Sequence, residues 1–260
     1  MNKKILLSFC LPTYNQSQDF KRTLLSITSQ LNAENIEEVE IVIGDNSENR
    51  ETEELVKKEF SLPYLRYYHH KENLGIDRNI LFLLEKANGR YVWLMGDDEI
   101  KLGAVNYILN AIKTHPDLSL IWVNCEMVNQ SGSVFPYRFV AKDLFFTNGS
   151  QVLEKIGIGL NFMSTIILRK EQITKLDRQE LKRHLDSGLL NLCLPLSILS
   201  RGGVFLITSS PFVVAHPIPR EQIKWDYFTT VGINFNKVLL TFKDNFDKES
   251  VKEIQKEIFN

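Results

Sequence analysis

Residues 91–99 read YVWLMGDDE. Five apolar residues in a row, led by an aromatic and a β-branched residue, are too few for a core helix and suit a strand covered on both faces. The run ends on Gly96 and three carboxylates, Asp97, Asp98 and Glu99. Packing does not require such a cluster at the end of a buried segment. A neighbouring positive charge does.

Outward from this strand, the first 125 residues alternate apolar runs with amphipathic stretches. ILLSFC (5–10), VEIVIG (39–44), YLRYY (64–68) and LSLIWVN (118–124) read as further strands. The stretches between them read as helices. One carries Phe20, Leu24, Ile27 and Leu31 on one face, with Ser17 as its N-cap. Others span 51–60, 76–87 (stopped by Asn88-Gly89) and 102–114 (ended before Pro116). This alternation predicts an α/β fold with a mostly parallel sheet flanked by helices. The second half is less regular. It predicts a hairpin over 126–140, a strand over 162–169, a helix over 186–200 kinked or split at Pro195, short strands at 203–207 and 211–216, and an amphipathic helical segment from Phe235.

A formal net charge of -1 argues against a nucleic-acid partner. Cys10, Cys125 and Cys193 each sit in an apolar run, as buried thiols of a reducing compartment do. The N-terminal MNKKILLSFCLPTYN is broken by Ser8 and Pro12 and reads as a strand rather than a signal peptide. No run reaches the ~18 apolar residues of a membrane span. The expected location is cytoplasmic.

In an open parallel sheet, ligands bind beyond the carboxyl ends of the strands. That rule selects PTYN (12–15), GDNSEN (44–49), HHKENLG (69–75) leading into Ile76–Asn79, and GDDE (96–99). All four are polar, and together they predict one shared site.

The stretches SFCLPTYN, IVIGDNS, ENLGIDRN and ANGRYVWLMGDD, in this order and near this spacing, resemble the family 2 glycosyltransferases, enzymes of the GT-A fold. The Gly-Asp-Asp form resembles the abequosyltransferase-like branch, which decorates O-antigen chains. The resemblance implies a nucleotide-sugar-binding half (1–125), an acceptor-binding half of the same domain (126–216), and a lid loop with a C-terminal amphipathic helix (217–260). The implied activity is inverting, metal-dependent transfer of a hexosyl or deoxyhexosyl group. The donor is a nucleoside-diphosphate sugar. The acceptor is a bacterial surface polysaccharide, lipopolysaccharide or capsule, or a lipid-linked oligosaccharide.

The residue types suit that chemistry. A diphosphate leaving group needs its charge neutralised, and Mg²⁺ or Mn²⁺ does so while taking carboxylate oxygens as ligands. The resemblance assigns Asp97 and Asp98 to metal and donor, with Met95 standing where the family's first aspartate is found. His216, ending PFVVAH, resembles a histidine that completes such metal sites; a structural strand-end role is the alternative. Arg220, Lys224 and Trp225 in the following loop suit a lid. Pro12, Thr13 and Tyr14 are expected at base and ribose, Tyr14 equally at home in packing. Asp45 resembles the aspartate that accepts from the nucleotide base, an Asx turn being its alternative. Arg78 resembles the cation that reaches the diphosphate, and Asp77 suits either that loop or the helix start. In RHLDSGLL (183–190), Asp186 best matches the base that takes the acceptor's proton; a helix N-cap is the other reading.

Two other classes compete. A nucleotidyltransferase needs a glycine- and lysine-rich loop after the first strand, and PTYNQSQ has no glycine. A non-catalytic module on a degenerate scaffold is the other alternative, suggested by Met95. The C-terminal helix carries nearly balanced charge and reads as packed on the domain or on a second copy, giving a homodimer. A lipid-linked acceptor would bring the protein to the inner membrane face as a peripheral partner.

Overall fold

A computed structural model describes residues 5–129, 131–176, 178–216 and 228–259. The first half runs β1 (Leu7–Thr13), α1 (Ser17–Thr28), β2 (Val39–Asp45), α2 (Glu51–Glu59), β3 (Leu65–His69), α3 (Ile76–Lys86), β4 (Tyr91–Leu94), β5 (Glu99–Ile100), α4 (Ala104–Thr114) and β6 (Leu118–Trp122). Next come β7 (Cys125–Val128), β8 (Val134–Pro136), β9 (Leu144–Phe146), α5 (Gly149–Ile156), β10 (Ile166–Arg169), α6 (Lys170–Thr174) and α7 (Arg178–His184). The chain ends with α8 (Leu190–Leu199), β11 (Val204–Ile207), β12 (Val213–Ala215), α9 (Phe235–Thr241) and α10 (Lys248–Phe259).

The main sheet has the order β3-β2-β1-β4-β10-β6-β11-β9, and a smaller one the order β5-β12-β7-β8. From β3 to β4 every pairing is parallel. The mostly parallel sheet takes in antiparallel strands beyond that point. β10 inserts between β4 and β6 and runs antiparallel to both, and β9 closes the far edge antiparallel to β11. A strand arriving from 44 residues after β6 leaves no periodic trace of its direction. No helix among the described residues is long and apolar enough to cross a membrane.

Alternation along the strands builds two cores. Leu7, Phe9 and Leu11 of β1, Ile41 and Ile43 of β2, and Tyr91 and Trp93 of β4 face α1, α2 and α4. Cys10, Val42, Val92 and Leu94 point to the other face, covered by α3, α5, α8, α9 and α10. The three cysteines are buried, and none is joined to another in a disulfide. Val251 and Ile254 of α10 are 6% and 3% exposed within the second core. The apolar stripe of the C-terminal helix therefore packs on its own chain, the first of its two readings.

Several local expectations shift. β1 reaches Thr13, three residues beyond ILLSFC. Ser17 lies inside α1, and Gln16 precedes the helix without a side-chain cap. The hairpin over 126–140 forms as β7 and β8. α8 runs unbroken through Pro195. It starts at Leu190, so Asp186 is not its N-cap.

Candidate active site

The loops after β1, β2 and β3 are tied to one another. The Asn46 amide donates to the Thr13 carbonyl at 2.9 Å, and the Asn15 amide to Ser47 Oγ at 2.8 Å. Asn46 then reaches the third loop, with Nδ2 3.3 Å from the Gly75 carbonyl and Oδ1 accepting from the Leu74 amide at 3.2 Å. Asn79 of α3 donates to the Gly44 carbonyl at 2.7 Å, and a Cβ on Gly44 would lie 2.1 Å from Asn79 Oδ1. Glycine at 44 is thus required by a close approach of helix to strand. Three of the four stretches selected from sequence form one hydrogen-bonded rim.

Asp45 closes β2 and has no exposed surface. Its Oδ1 accepts from the Ser47 amide at 2.7 Å, and its Oδ2 accepts from the Tyr67 hydroxyl, with His69 Nδ1 3.7 Å away. Burial and the Asp45 carboxylate push the Tyr67 hydroxyl far above its usual value, so Tyr67 keeps its proton. Pro12 and Thr13 are buried at the end of β1. Thr13 Oγ has no hydrogen-bond partner among the described residues. Tyr14 is half-buried and donates to Glu48 across the first two loops at 3.3 Å.

The acidic turn follows β4. Met95 is fully buried in the core beneath α1 and α4 and faces no loop. Methionine therefore occupies a packing position, and the carboxylates begin where the backbone leaves the sheet. Ser164, just before β10, organises them. Its hydroxyl donates to Asp98 Oδ2 at 2.5 Å and accepts from the Gly96 amide at 2.9 Å. Its carbonyl accepts from Trp93 Nε1 at 2.8 Å. Asp98 is 9% exposed, and burial raises its pKa. Asp97 is pushed up to about 7, first by burial and then by Asp98 and Asp19, with Arg22 opposing. Among the described residues, its carboxylate accepts no hydrogen bond.

A cation does stand beside this cluster. Arg22 of α1 lies 2.8 Å from Asp19 Oδ1 and 3.1 Å from Glu99 Oε1, and it donates to the Asp97 carbonyl at 3.1 Å. Glu99, to which the resemblance assigns no role, holds His216 Nε2 at 2.6 Å. The expected Asp97, Asp98 and His216 metal set is thus only partly assembled. The His216 amide reaches Asp98 at 3.4 Å, but its ring is held by Glu99, and the described residues contain no group of three His, Cys, Asp or Glu arranged to hold a metal. Asp97 and Asp98 nonetheless fit a hard divalent cation. They are adjacent oxygen donors, Asp98 buried and Asp97 half-buried, and Asp97 has no hydrogen-bond partner among the described residues. Arg22, Asp19 and Ser164 were missed because nothing in local spacing ties α1 or the residues before β10 to the turn after β4. A demand for positive charge beside GDDE was their one signal.

Arg78 and Asp186 meet across 108 residues. Nε donates to Oδ1 at 3.1 Å and Nη2 to Oδ2 at 2.7 Å, a bidentate pair with both side chains more than half exposed. The guanidinium holds the Asp186 carboxyl below the usual carboxylate range. Asp186 has φ of 68°, a left-handed backbone uncommon for a residue with a side chain. His184 is buried, its ring 6.4 Å from that of Phe242. Arg220, Lys224 and Trp225 of the expected lid lie outside the described residues.

The model of the family described as "Glycosyl transferase family 2" matches residues 8–169. The chain is 28% identical over 187 residues to the abequosyltransferase RfbV of Salmonella typhimurium, which is 66% of this chain and 55% of that protein. It thus spans about half the length of that curated relative. Among solved structures, TarS 1–349 of S. aureus in complex with UDP-GlcNAc superposes with a TM-score of 0.73 at 16% identity, over 98% of this chain and 72% of that one. Another crystal structure of TarS 1–349 gives 0.70 at 17% identity, over 98% and 71%. These likenesses establish the GT-A type of α/β fold. The family match ends at Arg169, short of Asp186 and His216.

Proposed function

The chain belongs to glycosyl transferase family 2, and from that premise we propose that it transfers a sugar, with inversion, from a nucleoside diphosphate to a saccharide acceptor. The acceptor class is a bacterial surface polysaccharide such as a lipopolysaccharide O-chain or capsule, or its lipid-linked precursor. The protein works in the cytoplasm, peripherally at the inner membrane face where such precursors are presented.

The observation that carries this reading is the Arg78–Asp186 pair. It joins a cation at the rim of the first three loops to a carboxylate from the second half. In the proposed reaction, Arg78 turns from Asp186 to the donor diphosphate. Asp186, released from its partner, takes the proton of the acceptor hydroxyl as that oxygen attacks the anomeric carbon. The bond to the diphosphate oxygen breaks on the opposite face, so the anomeric configuration inverts. Asp97 and Asp98 would hold Mg²⁺ or Mn²⁺, which supplies the charge that steadies the departing diphosphate. Pro12, Thr13 and Tyr14 face the nucleoside; Asp45, buried with its oxygens engaged by Tyr67 and by the Asx turn at Ser47 in place of the expected contact to the base, anchors that wall.

A thermal-shift panel of UDP, GDP, CDP and dTDP, each with and without Mn²⁺, tests the reading. A nucleotide at a hundred times its Kd adds about 2.7 kcal/mol of stability. For a domain of this size that raises Tm by roughly 5–10 °C. If no nucleotide moves Tm even with Mn²⁺ present, the proposal fails.

A further inference from the structure

We propose that Asp77 is the positioning residue for Asp186, holding the 186–190 segment in place from the first turn of α3. The inference rests on the reading of Asp186 as the base, and it adds a residue to that site.

Asp77 sits where a helix start would use an acidic side chain, yet its carboxylate does not serve α3. It is 2% exposed, and both oxygens are engaged by a distant stretch of chain. Oδ2 accepts from the Gly188 amide at 2.8 Å and Oδ1 from the Leu190 amide at 3.0 Å. Leu190 opens α8, so Asp77 caps a helix 113 residues away. α8 has no capping side chain of its own.

The segment being held needs outside support. Asp186 and Gly188 have φ of 68° and 75°, so the chain reverses through two left-handed residues before α8 begins. An aspartate in that conformation is disfavoured unless its surroundings impose it. Beside the local bonds of Ser187 to His184 and Leu189, the contacts from outside the segment come from consecutive residues. Asp77 grips the backbone from the buried side, and Arg78 grips the Asp186 carboxylate from the exposed side. Asn234 adds a weaker bond to the Ser187 carbonyl at 3.3 Å. Because both Asp77 oxygens are occupied and the side chain is buried, it acts through the backbone and not on substrate. Asp77 lies inside the stretch matched by the family model and the segment it holds lies outside it, so the residue couples the two.

Asp77→Asn keeps the shape but can accept only one of the two amide protons. Losing a hydrogen bond to a charged acceptor corresponds to an opening equilibrium about ten- to a hundredfold more favourable. Amide exchange at Gly188 or Leu190 should quicken by that factor, with β1 and β2 unchanged. The Asp186 carboxyl, followed by ¹³C NMR titration, should move up toward the ordinary carboxylate range as its pairing with Arg78 loosens. Loss of the Asp77 charge alone would move that signal down, since the two carboxylates repel, so an upward move reports the loosened pairing. If Asp77→Asn does not fold, Asp77→Ser, which also accepts at one site, carries the same expectations. Unchanged exchange at both amides together with an unmoved Asp186 titration overturns the proposal. If Asp186→Asn instead leaves sugar transfer intact, the base reading fails. The exchange result still decides whether Asp77 holds the segment.

Discussion

Asp97→Asn is the perturbation that the site's electrostatics predict most sharply. The carboxylate is half-buried beside Asp98 with no hydrogen-bond donor among the described residues, and its pKa is pushed up to about 7 from 3.8. The sign follows from proton counting. Between those two values the folded state holds a proton that the unfolded state has released, so stability falls as pH rises. Above pH 7 both states are ionised, and the loss levels off at about 4 kcal/mol. Asparagine resembles the protonated acid and escapes this loss. The variant should therefore exceed the wild type in stability by about 1–2 kcal/mol at pH 5 and about 4 kcal/mol at pH 8. For a chain of this length the pH 8 difference is a Tm gain of roughly 8–15 °C. Denaturant unfolding at the two pH values, without divalent metal, measures it. Saturating Mn²⁺ should narrow the gap by stabilising only the wild type. A variant no more stable than wild type at pH 8 would show that Asp97 is not an uncompensated, half-buried charge, and the case for a cation there would fall with it.

Other outcomes follow from the same contacts. The Mn²⁺-dependent part of any nucleotide-induced Tm shift should grow from pH 6 to pH 8 as Asp97 loses its proton, and level off above; a flat profile excludes Asp97 as a ligand. Ser164→Ala removes the donor to Asp98 and the acceptor for the Gly96 amide. It should cost about 1.5–3 kcal/mol in unfolding free energy and weaken Mn²⁺ binding by calorimetry. Gly44→Ala should cost about 1–3 kcal/mol in denaturant unfolding, because the new methyl collides with Asn79.

The parts of the fold built from local periodicity could be read directly. YVWLMGDDE gave a buried strand delivering carboxylates to the ligand edge, and the loops after β1, β2 and β3 do converge. What escaped was set by contacts distant in sequence. The direction and place of β10 depend on pairing with β4 and β6, which no window of sequence contains. Arg22 reaches the acidic turn from α1, and Glu99 meets His216 only because β5 pairs with β12. Asp77 read as serving either the donor loop or the start of α3, and its carboxylate accepts from the first amide of α8, 113 residues away. Asp186 was found by its resemblance, but its left-handed backbone and its pairing with Arg78 depend on the folded chain.

The central claim is that donor binding and proton removal are separate tasks at one site. Asp186→Asn tests it most directly, with nucleotide-plus-Mn²⁺ thermal shift and sugar transfer measured on the same protein. The expected result is a thermal shift at least as large as the wild type's, because Arg78 is freed for the diphosphate, and no transfer. Transfer at the wild-type rate would contradict it.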